Sequence, residues 1–274
     1  GILNGTTNFI LSKMSDDQFS FDDALKEAQD LGLAEADPTM DVDGTDAAQK
    51  ASILSALAFN TPFDFKSVSY GGIESVSSED ILYTEQLGYS IKHIAYGSID
   101  GNEVNISAYP TLVSKDQLLS QVGQQMNALE IYCEGIGSTV YYGPGAGPKP
   151  TASAVIADLV DISNGGWPDT PNKENKNKLC KEGKQTFSRY FNLNVKNEAG
   201  AIAKVSSLFA EKNISIEALI QKESKSNKNA QLNVPVIIIS GPLSDIDAFQ
   251  MQDNLDSMEE ISSTAKQFRI QNAL

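Results

Sequence analysis

A short acidic stretch followed by a lysine carries the densest chemistry in this 274-residue chain. An ammonium group can protonate an oxygen that gains negative charge, and carboxylates can hold the ammonium of an amino-acid-like substrate. The stretch therefore suits recognition of such a substrate combined with proton transfer to oxygen. Its members are Glu35, Asp37, Asp41, Asp43, Asp46 and Lys50.

Two other interpretations compete with a substrate site. Asp46 and Lys50 are four residues apart, so on a helix they share a face and can form a simple salt bridge, worth about 0.3–0.5 kcal/mol when exposed. The run Asp41–Gly44 resembles part of a calcium loop, but with Gly44 at its sixth position Lys50 falls at the twelfth, where a bidentate glutamate is required. Lys50 at the twelfth position excludes a calcium loop. The pair of Asp46 and Lys50 alone does not decide between a simple salt bridge and a substrate site.

Helices are expected on both sides of the acidic stretch. The one after it, at about residues 45–59, is almost entirely apolar apart from Asp46 and Lys50, so we expect it to be buried on most sides. Nearer the start of the chain, Thr6, Thr7 and Asn8 are suited to cap a first helix.

Composition narrows the class of protein. The net charge of -15, from 21 basic and 36 acidic residues, argues against nucleic acid and anionic membranes as partners, because both would repel the chain. No apolar run approaches the ~20 residues that span a bilayer, and no signal peptide is visible. Two cysteines without CxxC spacing suggest a reducing compartment, hence the cytoplasm, and no metal site. The single histidine, His93, lies in a strand-like run and is expected to be structural.

Residues 66–140 contain short runs of alternating polarity, which predict strands. Helices are expected at residues 78–87 and 115–126, and a hairpin turn at residues 98–102. The predicted fold class is α+β, with a mixed, largely antiparallel sheet and helices on one face. The strands are expected at residues 68–71, 91–99, 104–112 and 129–133.

A glycine-rich turn at residues 142–151 precedes another apolar helix. The turn matches neither the dinucleotide fingerprint nor a P-loop. The helix N-terminus after it can receive phosphate, although a plain loop explains the glycines more often.

A polar, lysine-dotted segment at residues 166–186 reads as a linker between two domains. The domain after it, residues 187–274, has the order βαββαβ, which is the ferredoxin-like pattern. Its strands are expected at residues 190–195, 214–221, 232–240 and 260–270, its helices at 200–212 and 243–255, and a charged loop at 222–231.

These motifs, taken in order, resemble the homoserine dehydrogenase family. The matching segments in the first domain, residues 1–165, are Gly-Ile-Leu-Asn-Gly-Thr-Thr-Asn-Phe-Ile-Leu at its start, Gly-Leu-Ala-Glu-Ala-Asp-Pro from Gly32, Asp-Ala-Ala-Gln-Lys ending at Lys50, and Tyr-Gly-Pro-Gly-Ala-Gly from Tyr142. The second domain, with Asn-Glu-Ala-Gly at Asn197–Gly200, resembles the ACT domain that many members carry at their C-terminus.

The resemblance implies a reversible, NAD(P)H-dependent reduction of L-aspartate 4-semialdehyde to L-homoserine, a step in threonine and methionine biosynthesis. Lys50 would exchange the proton at the substrate oxygen. The other roles that it implies are substrate binding by Glu35, Asp41, Asp46 and Thr6, and cofactor contacts by Gly5, Gly32 and Gly147. A homodimer or a higher homo-oligomer is also expected.

The family's N-terminal Rossmann domain, with its glycine fingerprint, has no counterpart in these residues. We therefore expect this chain by itself to bind NAD(P) poorly and to be inactive, with the helix after Thr151 partly uncovered.

The alternative is an amino-acid-sensing ACT protein without catalysis. In that case Asn197 and Gly200 would contact an effector such as threonine, although Asn197 stands where an acidic residue is frequent and Gly200 also suits a helix start. A scaffold that has lost catalysis is disfavoured, because the block from Glu35 to Lys50 is intact.

Overall fold

The computed structural model describes residues 1–62, 64–166, 177–180, 185–221 and 232–271, and it divides into unit 1, residues 1–181, and unit 2, residues 182–273. The helices of unit 1 are α1 (Gly5–Asp16), α2 (Phe21–Asp30), α3 (Thr39–Val42), α4 (Thr45–Phe59), α5 (Ser78–Gln86) and α6 (Pro148–Ser163). Its strands are β1 (Ser69–Tyr70), β2 (Tyr89–Asp100), β3 (Glu103–Ser114), β4 (Met126–Cys133), β5 (Gly137–Pro144) and β6 (Lys178–Leu179).

The long hairpin of β2 and β3 is the centre of unit 1. The two strands pair antiparallel from Tyr89 opposite Ser114 to Asp100 opposite Glu103, and the turn between them uses Gly101 at a φ of +58°. The short strands β1 and β6 pair parallel with the other edge of β3. The sheet is therefore mixed, and the fold belongs to the predicted α+β class.

Both faces of this hairpin are covered. Ala47, Ala48 and Ala51 of α4 pack against one face, and these small side chains let the helix lie close to the strands. Ile94 and Val113 lie on the other face, in a cluster with residues from the segments around β4. Because of this double cover, every residue from 91 to 95 of β2 is buried.

The first residues of the chain join β2 to β4. Ala95 N donates to Gly1 O at 2.9 Å, and Ile2 exchanges two backbone hydrogen bonds with Ala128, of 2.7 and 3.0 Å. Ile2 itself is fully buried. This extended segment fixes the position from which α1 starts, which matters for the functional site.

Two segments differ from the sequence prediction. The helix predicted at residues 115–126 is only a 3₁₀ turn at Leu118–Gln121, because Gln124 takes a positive φ of 55° and the chain then enters β4. The glycine-rich turn predicted from Tyr142 begins inside β5, which pairs with β4 as a separate hairpin. Tyr141 and Tyr142 are adjacent on β5 and both are exposed. The segment therefore lacks the alternation of buried and exposed residues that usually marks a strand.

Unit 2 is built from one antiparallel sheet and two helices. Its elements are β7 (Thr186–Lys196), α7 (Ala201–Glu211), β8 (Ile216–Gln221), β9 (Asn233–Ser244), α8 (Asp245–Asp256) and β10 (Lys266–Ile270). Within the unit the strands lie in the order β10-β7-β9-β8, and every neighbouring pair is antiparallel. Val205 and Phe209 of α7 and Met251 and Leu255 of α8 join one buried cluster with the strands.

The predicted linker and charged loop fall largely outside the described residues. Of residues 166–186, the structure describes β6, which pairs with Glu103 and Val104 of β3, so part of the segment belongs to the sheet of unit 1. The loop predicted at residues 222–231 is not among the described residues. Within the described ranges, no helix has the length and apolarity needed to cross a membrane.

Unit 2 contains a buried cluster of three charged side chains. Asp245, the first residue of α8, accepts hydrogen bonds from Arg189 of β7 and Arg269 of β10, with Arg269 Nε at 3.0 Å. The two arginines are 2% and 3% exposed. Burial alone would raise the pKa of Asp245, but the charges of Arg269 and Arg189 hold it below its ordinary value. The carboxylate is therefore the counter-charge that lets both arginines stay buried.

Replacing Asp245 by Asn should destabilise unit 2 by about 3–5 kcal/mol, because two buried guanidinium groups lose their counter-charge. Urea unfolding measured by circular dichroism checks this. Asp253→Asn on the exposed side of α8 is the matched control and should change stability by less than about 0.5 kcal/mol. Equal effects of the two changes would contradict the assignment.

Candidate active site

Asn4 starts the first helix and is the centre of the site. It is 4% exposed, has extended backbone angles, and accepts a hydrogen bond from Thr7 N through its side-chain oxygen at 2.8 Å. This is a standard N-cap contact. The cap predicted from sequence, at Thr6 to Asn8, was wrong, because those residues lie inside α1.

The amide nitrogen of Asn4 joins two carboxylates that are distant in sequence. It donates to Asp41 Oδ1 at 2.6 Å and to Asp46 Oδ2 at 2.8 Å. The side-chain oxygen of Asn4 thus caps α1, and its nitrogen links α1 to Asp41 of α3 and Asp46 of α4. We call Asn4, Asp41, Asp46 and Lys50 the Asn4 cluster.

Lys50 completes the cluster from one turn further along α4. Its Nζ donates to Asp46 Oδ2 at 2.7 Å and to the backbone oxygen of Leu3 at 3.2 Å. The predicted pairing of Asp46 with Lys50 is therefore present. The side chain of Lys50 remains 47% exposed, so its amine is held in place and still accessible to a small molecule.

Helix α4 is buried or half-buried on most sides, as predicted, but one stripe of it is exposed. Ile53 is 48% exposed and Leu57 is 66% exposed, and both lie on the same side of the helix as Lys50. Only the alanine side of α4 faces the hairpin. Apolar composition alone did not show which side of the helix the rest of the fold covers.

Burial and neighbouring charges act together on Asp41. Partial burial raises its pKa above the ordinary value, and the charge of Asp46 adds to that effect. The hydrogen bond from Asn4 and the charge of Lys50 act in the opposite direction. Thr6 lies beside Asp41 and donates its hydroxyl proton to Leu33 O at 2.9 Å, which ties α1 to the start of the acidic stretch. The cluster therefore favours the approach of one more positive group.

His93 supports the turn that leads into α4. Its Nε2 lies 2.9 Å from Gly71 O, so Nε2 must carry the proton, and burial lowers the pKa of this imidazole to about 4. Gly44 adjoins both groups: a Cβ there would lie 2.8 Å from Gly71 O and 3.1 Å from His93 Nε2. Its φ of +87° also favours glycine. His93 thus has the structural role predicted from sequence.

Asn127 of β4 borders the cluster on the other side. Its Nδ2 donates to Leu3 O at 3.3 Å, the same oxygen that Lys50 contacts. Its Oδ1 is buried and has no hydrogen-bond partner among the described residues. Gly145 approaches this amide so closely that a Cβ there would clash with Nδ2, whereas a Cβ on Gly5 would lie 2.8 Å from the backbone oxygen of Gln125. Asn127 therefore offers an unused acceptor next to Lys50.

The family of the chain follows from its sequence. A sequence model of homoserine dehydrogenase matches residues 1–160.

The chain belongs to the homoserine dehydrogenase family.

Relatives and solved structures agree with this assignment. The homoserine dehydrogenase of Bacillus subtilis is 37% identical over 276 residues, covering 99% of this chain and 63% of that protein. The one from Neisseria gonorrhoeae is 43% identical over 232 residues, covering 81% of this chain and 53% of that protein. The crystal structure of the Thiobacillus denitrificans enzyme superposes with a TM-score of 0.87 at 34% identity, covering 98% of this chain and 62% of that one. This chain thus spans between about half and two thirds of the relatives' length.

Three residues that the homoserine dehydrogenase resemblance singled out lie apart from the Asn4 cluster. Glu35 is exposed, and its carboxylate makes no ion pair or hydrogen bond with the described residues. Gly32 is exposed at a φ of +71° and ends α2, where it satisfies backbone groups of that helix. Gly147 caps α6 in an open position with a φ of +107°. The Asn4 cluster therefore brings together Asp41, Asp46 and Lys50, and Thr6 borders it.

The two residues proposed for an effector lie in unit 2. Asn197 is exposed, and its backbone N–H donates to Leu232 O at 2.8 Å. Gly200 is exposed at the start of α7 with a φ of +94°, a conformation that favours glycine there. Both residues are accessible to a small molecule.

Sequence reasoning missed Asn4 and Asn127 as site residues. Asn4 had a usable signal, since an asparagine three residues before Thr7 fits the N-cap pattern at the start of a helix. Asn127 had none, because it reaches the cluster only through the pairing of β4 with the segment at Ile2.

Replacing Asn4 by Ala should lower the free energy of unfolding by about 2–4 kcal/mol, since it removes a helix cap and two charge-assisted hydrogen bonds. Chemical unfolding followed by fluorescence gives the value. Ser20→Ala, which removes the cap of α2 and a local hydrogen bond to Asp23 on the same helix, is the control and should cost about 1 kcal/mol. A cost for Asn4→Ala no larger than that of the control would contradict the bridging role.

Lowering the pH should reduce the free energy of unfolding, because His93 is buried in its neutral form. The folded-state pKa of about 4 is below the ordinary 6.5, so the unfolded chain takes up the proton first and stability falls as the pH drops from about 6.5 to about 4. The loss reaches about 3 kcal/mol over that range. Unfolding curves of His93→Gln across these pH values should show a stability loss smaller by this amount, since no other histidine is present and the buried amino group of Gly1, whose pKa falls to about 5, acts equally in both proteins. Parallel pH profiles for the two proteins would rule out the neutral buried imidazole.

Proposed function

We propose that these residues form the substrate-binding and proton-transfer part of a homoserine dehydrogenase, which reduces L-aspartate 4-semialdehyde to L-homoserine reversibly with NAD(P)H. The reaction belongs to threonine and methionine biosynthesis. The observation that carries the proposal is the Asn4 cluster, where an accessible lysine amine is fixed beside two carboxylates.

Lys50 is proposed as the proton donor for reduction and the acceptor for the reverse reaction. An ammonium has three N–H groups, and two of them are taken by Asp46 and Leu3 O. The third is left for the substrate oxygen. When the aldehyde carbon is reduced, its oxygen gains negative charge, which a positioned ammonium stabilises and then protonates.

The carboxylates are proposed to hold the other end of the substrate. An amino-acid aldehyde carries an ammonium, and Asp41 and Asp46 lie close enough together for Asn4 to bind both. Partial burial and the nearby charge of Asp46 raise the pKa of Asp41, and an arriving positive group would favour its charged form. Glu35 would join them only after the exposed stretch between α2 and α3 changes conformation.

The cofactor, when bound, supplies the hydride. Residues near its reactive end would be Gly5 and Gly145, where the closely packed backbone leaves no room for a side chain, and Asn127, whose buried oxygen is an unused acceptor for a carboxamide. We propose that most of the nucleotide site lies outside these 274 residues, because the sequence contains no dinucleotide fingerprint.

Loss of the Lys50 amine should abolish turnover more than binding. In an enzyme that joins these residues to a nucleotide-binding domain, Lys50→Ala should lower kcat by about 10²–10⁴-fold, the usual contribution of a positioned acid, with a smaller change in KM. Lys26→Ala on the exposed side of α2 is the control and should be neutral. A kcat for Lys50→Ala near that of the control would exclude the role.

A second function is favoured by unit 2. We propose that it is an ACT regulatory domain, because its antiparallel order β10-β7-β9-β8 with both helices on one buried cluster is the arrangement expected from the βαββαβ pattern. Asn197 and Gly200, exposed before α7, are its proposed effector contacts.

L-Threonine should then raise the melting temperature of the chain, because a ligand that binds only the native state stabilises it by about 2.7 kcal/mol at 100 times its Kd. Asn197→Ala should lose most of this increase, whereas Asn254→Ala on α8 should keep it. The assignment fails if threonine has no effect, or if both variants respond like the parent chain.

A further inference from the structure

Unit 1 contains a polar cavity that the Asn4 cluster does not use. Its volume is about 290 Å³, and it lies between the C-terminal half of α1, helix α5 and the start of β2. The charged and hydroxyl groups that line it are Ser12, Ser15, Asp16, Glu85, Ser90, Lys92, Lys115 and Ser120. Cavities of this size hold small metabolites.

The cavity is separate from the proposed active site. On α1 the lining residue nearest to the Asn4 cluster is Leu11, which is five residues from Thr6, or about 7.5 Å at the rise of an α-helix. Both sites therefore share one rigid helix without sharing a side chain.

Lys92 is the unusual group in the wall. It is 7% exposed and its Nζ donates to Val122 O at 2.7 Å, but it forms no ion pair with any described residue. Burial lowers the pKa of this amine to about 8, although the charge of Asp16 opposes the change. A buried ammonium without a counter-charge is costly, so an anionic group in the cavity would stabilise it.

The carboxylates of the wall restrict which anion fits. Glu85 accepts a hydrogen bond from Ser15 at 2.6 Å, and Asp16 is close enough to influence Lys92. Together with Lys92 and Lys115, these carboxylates give the wall two groups of each sign, which suits a ligand that carries both charges better than a phosphate dianion. A zwitterion satisfies both signs, with its carboxylate toward Lys92 and its ammonium toward Glu85.

We propose that this cavity is a binding site for a small α-amino acid, held by Lys92 and Glu85. The serine hydroxyls of the wall, on α1 and β2, supply neutral hydrogen bonds for the remaining polar groups of the ligand. The proposal does not rest on the dehydrogenase activity or on the role of unit 2.

Nuclear magnetic resonance of the chain labelled with ¹³C at lysine Cε tests the site directly, with the Lys92 signal assigned from its absence in Lys92→Met. If that variant does not fold, Lys92→Arg serves the same purpose. Saturating L-alanine, or another member of a panel of L-amino acids, should shift this signal and raise the pKa of Lys92 by about 1, equivalent to tenfold tighter binding to the charged amine. Because the reporter is Lys92 itself, binding elsewhere does not mimic the result, and Asp46→Asn should leave it unchanged.

Propionate, which lacks the ammonium, is the matched probe for the second contact. It should bind at least tenfold more weakly than L-alanine, and Glu85→Gln should remove that difference. The proposal is overturned if no amino acid of the panel shifts the Lys92 signal. It is also overturned if propionate binds the parent chain as tightly as L-alanine does.

Discussion

The carboxamide of Asn4 is the contact on which the arrangement of the site depends. Its oxygen caps α1, and its nitrogen binds Asp41 and Asp46, which belong to two other helices. A carboxylate at this position could not donate to its two partners, and an aliphatic side chain would remove one hydrogen bond from each carboxylate and the cap from the helix start. The amide is thus the group that suits all three contacts at once.

The surroundings hold this contact rigid from several directions. The segment before Asn4 is tied to β2 and β4 by backbone hydrogen bonds, and Lys50 and Asn127 both donate to the oxygen of Leu3. On the far side, neutral His93 fixes the carbonyl of Gly71 against the Gly44 turn. Lys50 therefore has a fixed amine on an exposed helix face, which is the combination that proton transfer to a bound substrate requires.

Membership of the homoserine dehydrogenase family gives these contacts a chemical meaning. The family match covers residues 1–160, which include the whole Asn4 cluster and the cavity at Lys92. The lysines of these two places differ in their surroundings. Lys50 in the Asn4 cluster is exposed beside carboxylates, whereas Lys92 at the cavity is buried and forms no ion pair with the described residues. Helix α1 contacts both places, so the structure joins the Asn4 cluster and a second polar pocket through one element.

Local sequence was sufficient for most of the elements and for the central pair. The four-residue spacing of Asp46 and Lys50 predicted their salt bridge, and the alternation in β2 and β3 predicted the hairpin, because both follow from backbone geometry over a few residues. Contacts between distant segments were decided only by the tertiary structure. Asn4 meets Asp41 across 37 positions, and the exposed side of α4 depends on which helix face the sheet covers. Neither follows from local periodicity, since that pattern does not specify the packing partner.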